Sequence, residues 1–497
     1  MVVFWVARRG AERFHDVRGC GEVGVADAEV DDVDSLALFC LFHIVDAGKE
    51  VGGKVVHASC VHYQILRTEP YVIIRDRASP WLPAGNADTL PARTLYLDMN
   101  DQAERPVYMD HAATTCMKPE VLAAMAPYFS EHFGNPSSLY RFSRGSREGV
   151  EGARGEVAKA LGAKPEEVFF TAGGTESDNW AIKGVAAAAK KKGGHIVTSA
   201  IEHHAVLHTC EWLTKQGFSV TYLPVDGYGR VDPGDVESAI TDRTVLVSVM
   251  TANNEIGTVQ PVREIGRIAH DHGVLFHTDA VQAIGAVPID VAAMEIDLLS
   301  LSGHKFYGPK GTGALYIRQG TRIESLIHGG GQERGRRAGT ENVPGIVGLG
   351  RAIEIATADI EGHNRRIAAM RDRLIRGVLD TIPDTRLNGH PVERLANNAN
   401  FSFRYVEGES ILLLLDAHGI CASTGSACSS GSPEPSHVLL ATGLTPEEAH
   451  GSLRLTLGDA NTADDIDYVL RLLPEAIGRL RRISPLTPAE KRVQEAD

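Results

Sequence analysis

The chain has no apolar run that could cross a bilayer, which takes about 20 residues. Its best candidate, Leu36 to Val45, is short and contains His43. No secretory leader is expected, because Met1-Val2-Val3-Phe4-Trp5 is apolar before any positive charge occurs. Cysteine is scarce: there are seven in 497 residues, an odd number without a Cys-x-x-Cys pair. That usage suits a reducing cytoplasm better than a disulfide framework. Positive charge is also in deficit. A formal charge of −14 and a pI near 5.8 argue against general nucleic-acid binding and leave room only for a local basic patch. What is abundant is apolar residue, 43% of the chain, enough for a large core, and the length suits two to four domains.

Residues 1–98 differ from the rest. They carry Cys20, Cys40 and Cys60, scattered acids from Asp27 to Asp34, and weak periodicity. Ala78-Ser-Pro-Trp-Leu-Pro-Ala-Gly-Asn86 has linker composition, and a more regular text begins near Met99, a plausible natural start. The expectation is a poorly ordered N-terminal extension over 1–98; a targeting segment or added module is the competing reading, which the acids disfavour. From there short strands alternate with helices. Strands are expected at 195–200, 219–224, 244–250, 274–276, 297–300 and 313–317, all buried, with helices over 175–190, 205–216 and 262–272. This alternation predicts an α/β fold: a large unit over 123–358 built on an open, mostly parallel, doubly wound sheet. Residues 99–122 would pack with a smaller α+β unit over 359–497, which opens on a helix at 359–379 and closes on one at 463–482. Ligands of such sheets bind beyond the carboxyl ends of the strands.

Two residues fall at such ends. Lys305 stands in Ser302-Gly303-His304-Lys305-Phe306-Tyr307-Gly308, and Asp279 in His277-Thr278-Asp279-Ala280-Val281-Gln282. A lysine able to form a Schiff base, beside an aspartate able to keep a pyridine nitrogen protonated, is what pyridoxal phosphate requires. A surface lysine in a glycine turn is the simpler alternative. Thr171-Ala-Gly-Gly-Thr175 follows Val168-Phe-Phe and opens a helix, where free N–H groups favour a phosphate; ordinary capping by Thr175 competes. Ser302 and His304 could add donors to the same anion. The stretch from His328 to Asn342 is a second basic loop, functional or merely solvated. His203 lies at a strand-to-helix junction, either as a stacking, proton-shuttling imidazole or as a cap. Asn253-Asn254-Glu255 follows another strand. Arg454, between Leu453 and Leu455, faces away from both and wants a carboxylate, from a substrate or from a structural salt bridge.

Cys428 sits in Ser423-Thr-Gly-Ser-Ala-Cys428-Ser-Ser-Gly-Ser-Pro. A thiol amid small polar residues is presented as an accessible nucleophile would be, unless it is incidental to the loop. A loop of about fourteen residues reaches at most ~50 Å when extended, so its tip could sweep roughly 20 Å. Cys421 reads as a buried strand residue, and Cys116 and Cys210 have no activating company.

The ordered blocks carry a family resemblance. They are Tyr108-Met-Asp-His-Ala-Ala-Thr-Thr115, Gly134-Asn-Pro-Ser-Ser138, Thr171 to Asn179, Asn253 to Gly257, Ser302 to Gly311, Gly329 to Gly335 and Ser423 to Cys428. In that order and spacing, from about Tyr108 onward, the chain resembles the cysteine desulfurases, pyridoxal phosphate enzymes related to class V aminotransferases. Its longer cysteine loop is similar to the subgroup serving general iron–sulfur assembly and tRNA thiolation. The resemblance implies fold type I and a homodimer. It makes Lys305 the Schiff-base lysine, Asp279 the pyridinium partner and His203 the stacking acid/base. Gln282 would bond the ring hydroxyl, while Gly174, Thr175, Ser302 and His304 hold the phosphate, joined by Thr340 across the dimer. Asn254 and Arg454 would hold the carboxylate of L-cysteine. Cys428 would collect the sulfur as a persulfide, leaving L-alanine, and pass it to an iron–sulfur scaffold or a tRNA-thiolating enzyme. No resident metal is implied, only transient ligation of an iron–sulfur cluster by Cys428. Selenocysteine lyase activity or another class V reaction is the nearest rival. A non-catalytic sulfur-transfer docking platform is the rival of another class.

Overall fold

The computed structural model describes residues 106–189, 194–424 and 435–488, and the backbone of three strands nearer the N-terminus. The linker 78–86, Met99 and Cys428 lie outside the described residues. The chain divides into a unit Met1–Ala103 and a unit Glu104–Asp497. In the first, Val61–Thr68 pairs antiparallel with Tyr71–Asp76 and, at its start, with Leu41–Phe42.

The second unit is built on a seven-stranded sheet. Its strands are β1 (Val168–Thr171), β2 (His195–Ser199), β3 (Ser219–Leu223), β4 (Thr244–Ser248), β5 (Leu275–Asp279), β6 (Leu298–Ser302) and β7 (Gly313–Ile317), in the spatial order β1-β7-β6-β5-β4-β2-β3. Only β7 runs against the others. Side chains alternate across a strand, so Val197 and Val247 enter one core while Ile196 and Leu246 enter another on the opposite face. Burial on both faces explains why these strands read as continuous apolar runs. Helices α1 (Arg144–Leu161), α4 (Val262–Asp271) and α5 (Val343–Thr357) cover one face; α2 (Gly174–Ala189) and α3 (His204–Thr214) cover the other.

A separate core lies towards the C-terminus. The antiparallel sheet β8 (Thr385–Asn388), β9 (Asn398–Phe403) and β10 (Ser452–Thr456) packs Phe401, Phe403, Leu453 and Leu455 against α6 (Ile360–Thr381) and α7 (Ala463–Ile483). The segment 107–115 straps the two cores together. Val107–Tyr108 pairs with Ile420–Cys421, Asp110 bridges to Thr456, and the Thr115 hydroxyl links the His304 carbonyl to the Tyr307 amide. Among the described residues no helix is long and apolar enough to cross a membrane.

Three expectations change. The stretch at 219–223 is a strand but not a buried one: it is the sheet edge, and only Leu223 is buried. The strand expected to end at Phe276 runs on to Asp279, and the one expected to end at Ser300 runs to Ser302. Polar residues hid these extensions. They pair with one another inside the sheet: His277 bonds the Ser248 and Ser300 hydroxyls at 2.9 and 3.0 Å, and Thr278 bonds Thr251 at 2.8 Å. Helices α1 and α5 were not anticipated. The loop 328–342 is also more than a solvated charged stretch. Glu333 is buried, pairs bidentately with buried Arg154 at 2.9 and 3.0 Å, and accepts the Phe170 N–H.

Removing one partner of a buried ion pair leaves an uncompensated charge. Arg154→Met should therefore lower unfolding free energy by about 3–5 kcal/mol in denaturant titrations, and the double variant with Glu333→Leu should recover most of it.

Candidate active site

The carboxyl ends of the parallel strands open into a cavity of about 390 Å³, lined by residues from both cores. Asp279, the last residue of β5, lies in it and is 5% exposed. Its Oδ1 accepts the Val281 N–H at 2.8 Å. Burial pushes its carboxyl up to about 6, against the pull of that hydrogen bond and of Lys305. Lys305 ends a one-turn helix, Gly303–Lys305, that follows β6, the parallel neighbour of β5. Its Nζ donates to the carbonyls of Ala112 and Ala113 at 2.6 and 2.8 Å. Gln282 Nε2 donates to the same Ala112 carbonyl at 2.9 Å. The strap thus holds the amine beside the cavity.

His203 precedes α3 and caps it, with Nδ1 accepting the Ala205 N–H at 3.1 Å. With Nδ1 committed as an acceptor, Nε2 carries the ring proton. Burial, then the Lys305 charge, pushes its pKa down to about 4. The capping role and the cavity position coexist, but the imidazole is neutral at neutral pH. His304 is likewise pushed to about 4, by burial and then Lys305, and its Nδ1 meets the Thr114 hydroxyl at 3.2 Å.

The N-terminus of α2 faces the cavity through Gly174 and Thr175, with buried Ser302 close by. A Cβ on Gly174 would stand 2.6 Å from Val281 Cγ2, so only glycine lets the helix start approach the end of β5 this closely. Glu176 in the first turn does not repel an anion unchecked, because Arg337 clamps it bidentately at 2.9 and 3.1 Å.

Arg454 is 2% exposed and lines the cavity. Both alternatives for it meet here. Its Nη2 pairs with Asp110 at 2.8 Å, and Nη1 donates to the Asn254 carbonyl at 3.0 Å. Asn254 itself lines the cavity. Thr340 does not: it is exposed, away from its own chain's cavity wall. Cys428 lies outside the described residues, but the flanks of its segment are fixed. Ser423 and Arg454 exchange backbone hydrogen bonds, and the Ser436 hydroxyl donates to Glu255 Oε2 at 2.5 Å. Glu255 and His437 line the cavity. Cys421 is half-buried rather than fully so, Cys116 is exposed, and burial pushes buried Cys210 up to about 12.

Sequence reasoning passed over three buried groups below this cavity. Asp178 lines it at 1% exposure. Glu202 is fully buried and accepts from Ser199 and Met250. His277 is fully buried and pushed down to about 3 by its burial. Only the position of Glu202 beside His203, and of Asp178 within the Thr171 block, offered any signal. The donor set fits pyridoxal phosphate: an anion site at a helix start, a buried carboxylate in the floor, one amine on the wall, and a cradle at Gly174 that a side chain would fill.

The profile of the family Aminotransferase class-V matches residues 107–469. The cysteine desulfurase IscS of Methanosarcina thermophila is 63% identical over 388 residues, 78% of this chain and 96% of that protein. The cysteine desulfurase IscS of Clostridium botulinum is 60% identical over 384 residues, 77% and 97% of the two chains. Among solved structures, a NifS-like protein superposes with a TM-score of 0.71 at 40% identity, covering 76% of this chain and 100% of that one. SspA in complex with cysteine superposes at 0.64, also 40% identical, covering 71% and 98%.

His203, His304 and His277 all titrate in the fold below their ordinary 6.5. On acidification the unfolded chain takes up these protons first, so their contribution to stability is lost as pH falls from about 6.5 towards 4. The raised carboxyls act in the opposite sense. His277→Asn should flatten the unfolding free energy against pH between about 6.5 and 3, by up to ~1.4 kcal/mol per pH unit, in denaturant titrations.

Proposed function

Because the chain belongs to the class-V aminotransferase family, and within it to the cysteine desulfurases, we propose that it takes sulfur from L-cysteine with bound pyridoxal phosphate, releases L-alanine, and leaves the sulfur as a persulfide on Cys428. The observation that carries this reading is a buried carboxylate, Asp279, and one amine, Lys305, on neighbouring parallel strand ends of a cavity that also receives Arg454. When bound, the cofactor supplies a protonated ring that withdraws electrons from the substrate carbon beside the amine.

The protein's own groups do the rest. Lys305 would hold the cofactor through Nζ, and as a free amine the same Nζ would be the base for the substrate Cα proton. Asp279 would hold its negative charge for the ring nitrogen, and Gln282 would take the ring hydroxyl. His203, a neutral imidazole on the cavity wall, would cover the ring. Gly174, Thr175, Ser302 and His304 receive the phosphate. Arg454 and Asn254 orient the substrate carboxylate, Asp110 having already fixed the guanidinium on one side. The Cys428 thiolate attacks the substrate sulfur, and sulfur–sulfur bond formation accompanies carbon–sulfur cleavage, which separates desulfuration from transamination. In this reading residues 123–358 hold the cofactor and residues 359–497 bring Arg454 and Cys428 to it.

A homodimer completes the site. An apolar band on one stretch of chain supports it: Phe129, Phe133, Leu139, Tyr140 and Phe142 are all more than half exposed. Exposed Thr340 would then reach the phosphate of the partner subunit. The acceptor of the persulfide is an iron–sulfur scaffold or a tRNA-thiolating enzyme, and the setting is cytoplasmic, where the described cysteines remain thiols.

Cys428→Ala should keep the cofactor absorbance and abolish sulfide release from L-cysteine in the presence of a thiol reductant; normal turnover by that variant would refute the assignment. Arg454→Gln should raise KM for L-cysteine about 10–100-fold, the worth of a hydrogen bond to a charged group.

A further inference from the structure

Two carboxyls, not one, meet the floor of the cofactor cavity. Asp178 comes from the second turn of α2 and Asp279 from the end of β5; they are 1% and 5% exposed and line the same cavity. Asp178 Oδ1 is buried and makes no hydrogen bond within the protein. A third carboxyl, Glu202, lies just below, also fully buried, with Oε2 likewise unbonded.

The cations available to these acids are few. Lys305 is the lysine on the cavity wall, and its charge bears on Asp279. Arg454, across the cavity, is paired with Asp110. His277 stands 3.7 Å from Asp178 Oδ1, but both its ring nitrogens serve serine hydroxyls, and its burial keeps it uncharged. His203 is neutral for the same reason. Adjacent buried carboxyls cannot all ionise without matching cations. The geometry decides which one does. Asp279 receives the Val281 N–H and faces Lys305; Asp178 has only the Ser300 hydroxyl beside it and feels the Asp279 charge. Glu202, pushed up to about 8 by burial, also keeps its proton at neutral pH.

We propose that Asp178 is an uncharged acid and a positioning residue for the cofactor: its proton stands beside Asp279, so that this pair carries a single negative charge, fixed on Asp279, against the ring nitrogen. The unbonded Oδ1, enclosed beside the neutral His277, then belongs to an uncharged carboxyl group and not to a second anion. Asp178 spares the cofactor a doubly charged floor, and its proton offers a donor to the charge on Asp279.

The inference rests on the proposed pyridoxal phosphate site, and its test reads the proton and the cofactor separately. In the holoenzyme, infrared difference spectra of the parent chain against D178N at pH 8 should show a protonated-carboxyl band present only in the parent. An ionised carboxylate difference instead overturns the proposal. Cofactor dissociation, followed by absorbance, should change by less than about threefold in D178N, which keeps a neutral donor. It should increase about 10–100-fold in D178L, which removes the donor. Loss of cofactor by D178N as severe as that of D279N would overturn it too. If D178L fails to fold by circular dichroism, the infrared band and D178N alone decide. A parent chain that binds no pyridoxal phosphate would refute the cofactor reading, while the infrared band would still report the state of Asp178.

Discussion

A negative charge held at a buried position, on the same cavity as one amine, is the constraint on which the rest of this molecule depends. Ionised carboxylates avoid such places because burial removes their hydration. Asp279 tolerates it because a backbone N–H and the Lys305 ammonium compensate in part. The arrangement requires two parallel strands to end side by side, since β5 and β6 deliver the two groups to one opening. It also requires the strap 107–115, whose Ala112 and Ala113 carbonyls hold the lysine.

The same pressure shapes the surroundings. Burial forces the neighbouring titratable groups neutral. The histidines shed protons and the deeper carboxyls keep theirs. The buried polar network Ser248, His277 and Ser300 satisfies its members internally and carries no net charge. Charges that persist nearby are paired: Arg454 with Asp110, Glu176 with Arg337, Glu333 with Arg154. The last two also pin the loop 328–342, which presents Thr340 away from its own cavity, to helices α1 and α2.

Much of this was legible in the residues. Periodicity gave the alternation of strands and helices because sheets buried on both faces demand continuous apolar runs. Motif order pointed to Lys305, Asp279, His203 and Asn254 because chemistry-bearing residues cluster at or just past strand ends, and Arg454 stood out as a guanidinium inside an apolar strand. Three features resisted. The edge strand at 219–223 looked buried because its composition is strand-like, and composition does not report position in the sheet. The extensions of β5 and β6 looked like loop because their polar side chains are satisfied only by residues far away in sequence. Arg454 could not be assigned between substrate and salt bridge because its partner, Asp110, lies 344 positions away.

By itself, then, the sequence determined the fold class and which chemistry-bearing groups line the cavity, since both follow from local pattern: apolar period, glycine turns and residue type beside them. Only the tertiary structure decided their protonation. Whether Asp178, Glu202 or His203 is charged depends on how much water and which charges the folded chain leaves within a few ångströms, and those neighbours come from strands and helices that are distant along the chain. Chemistry was written locally; electrostatics was settled by packing.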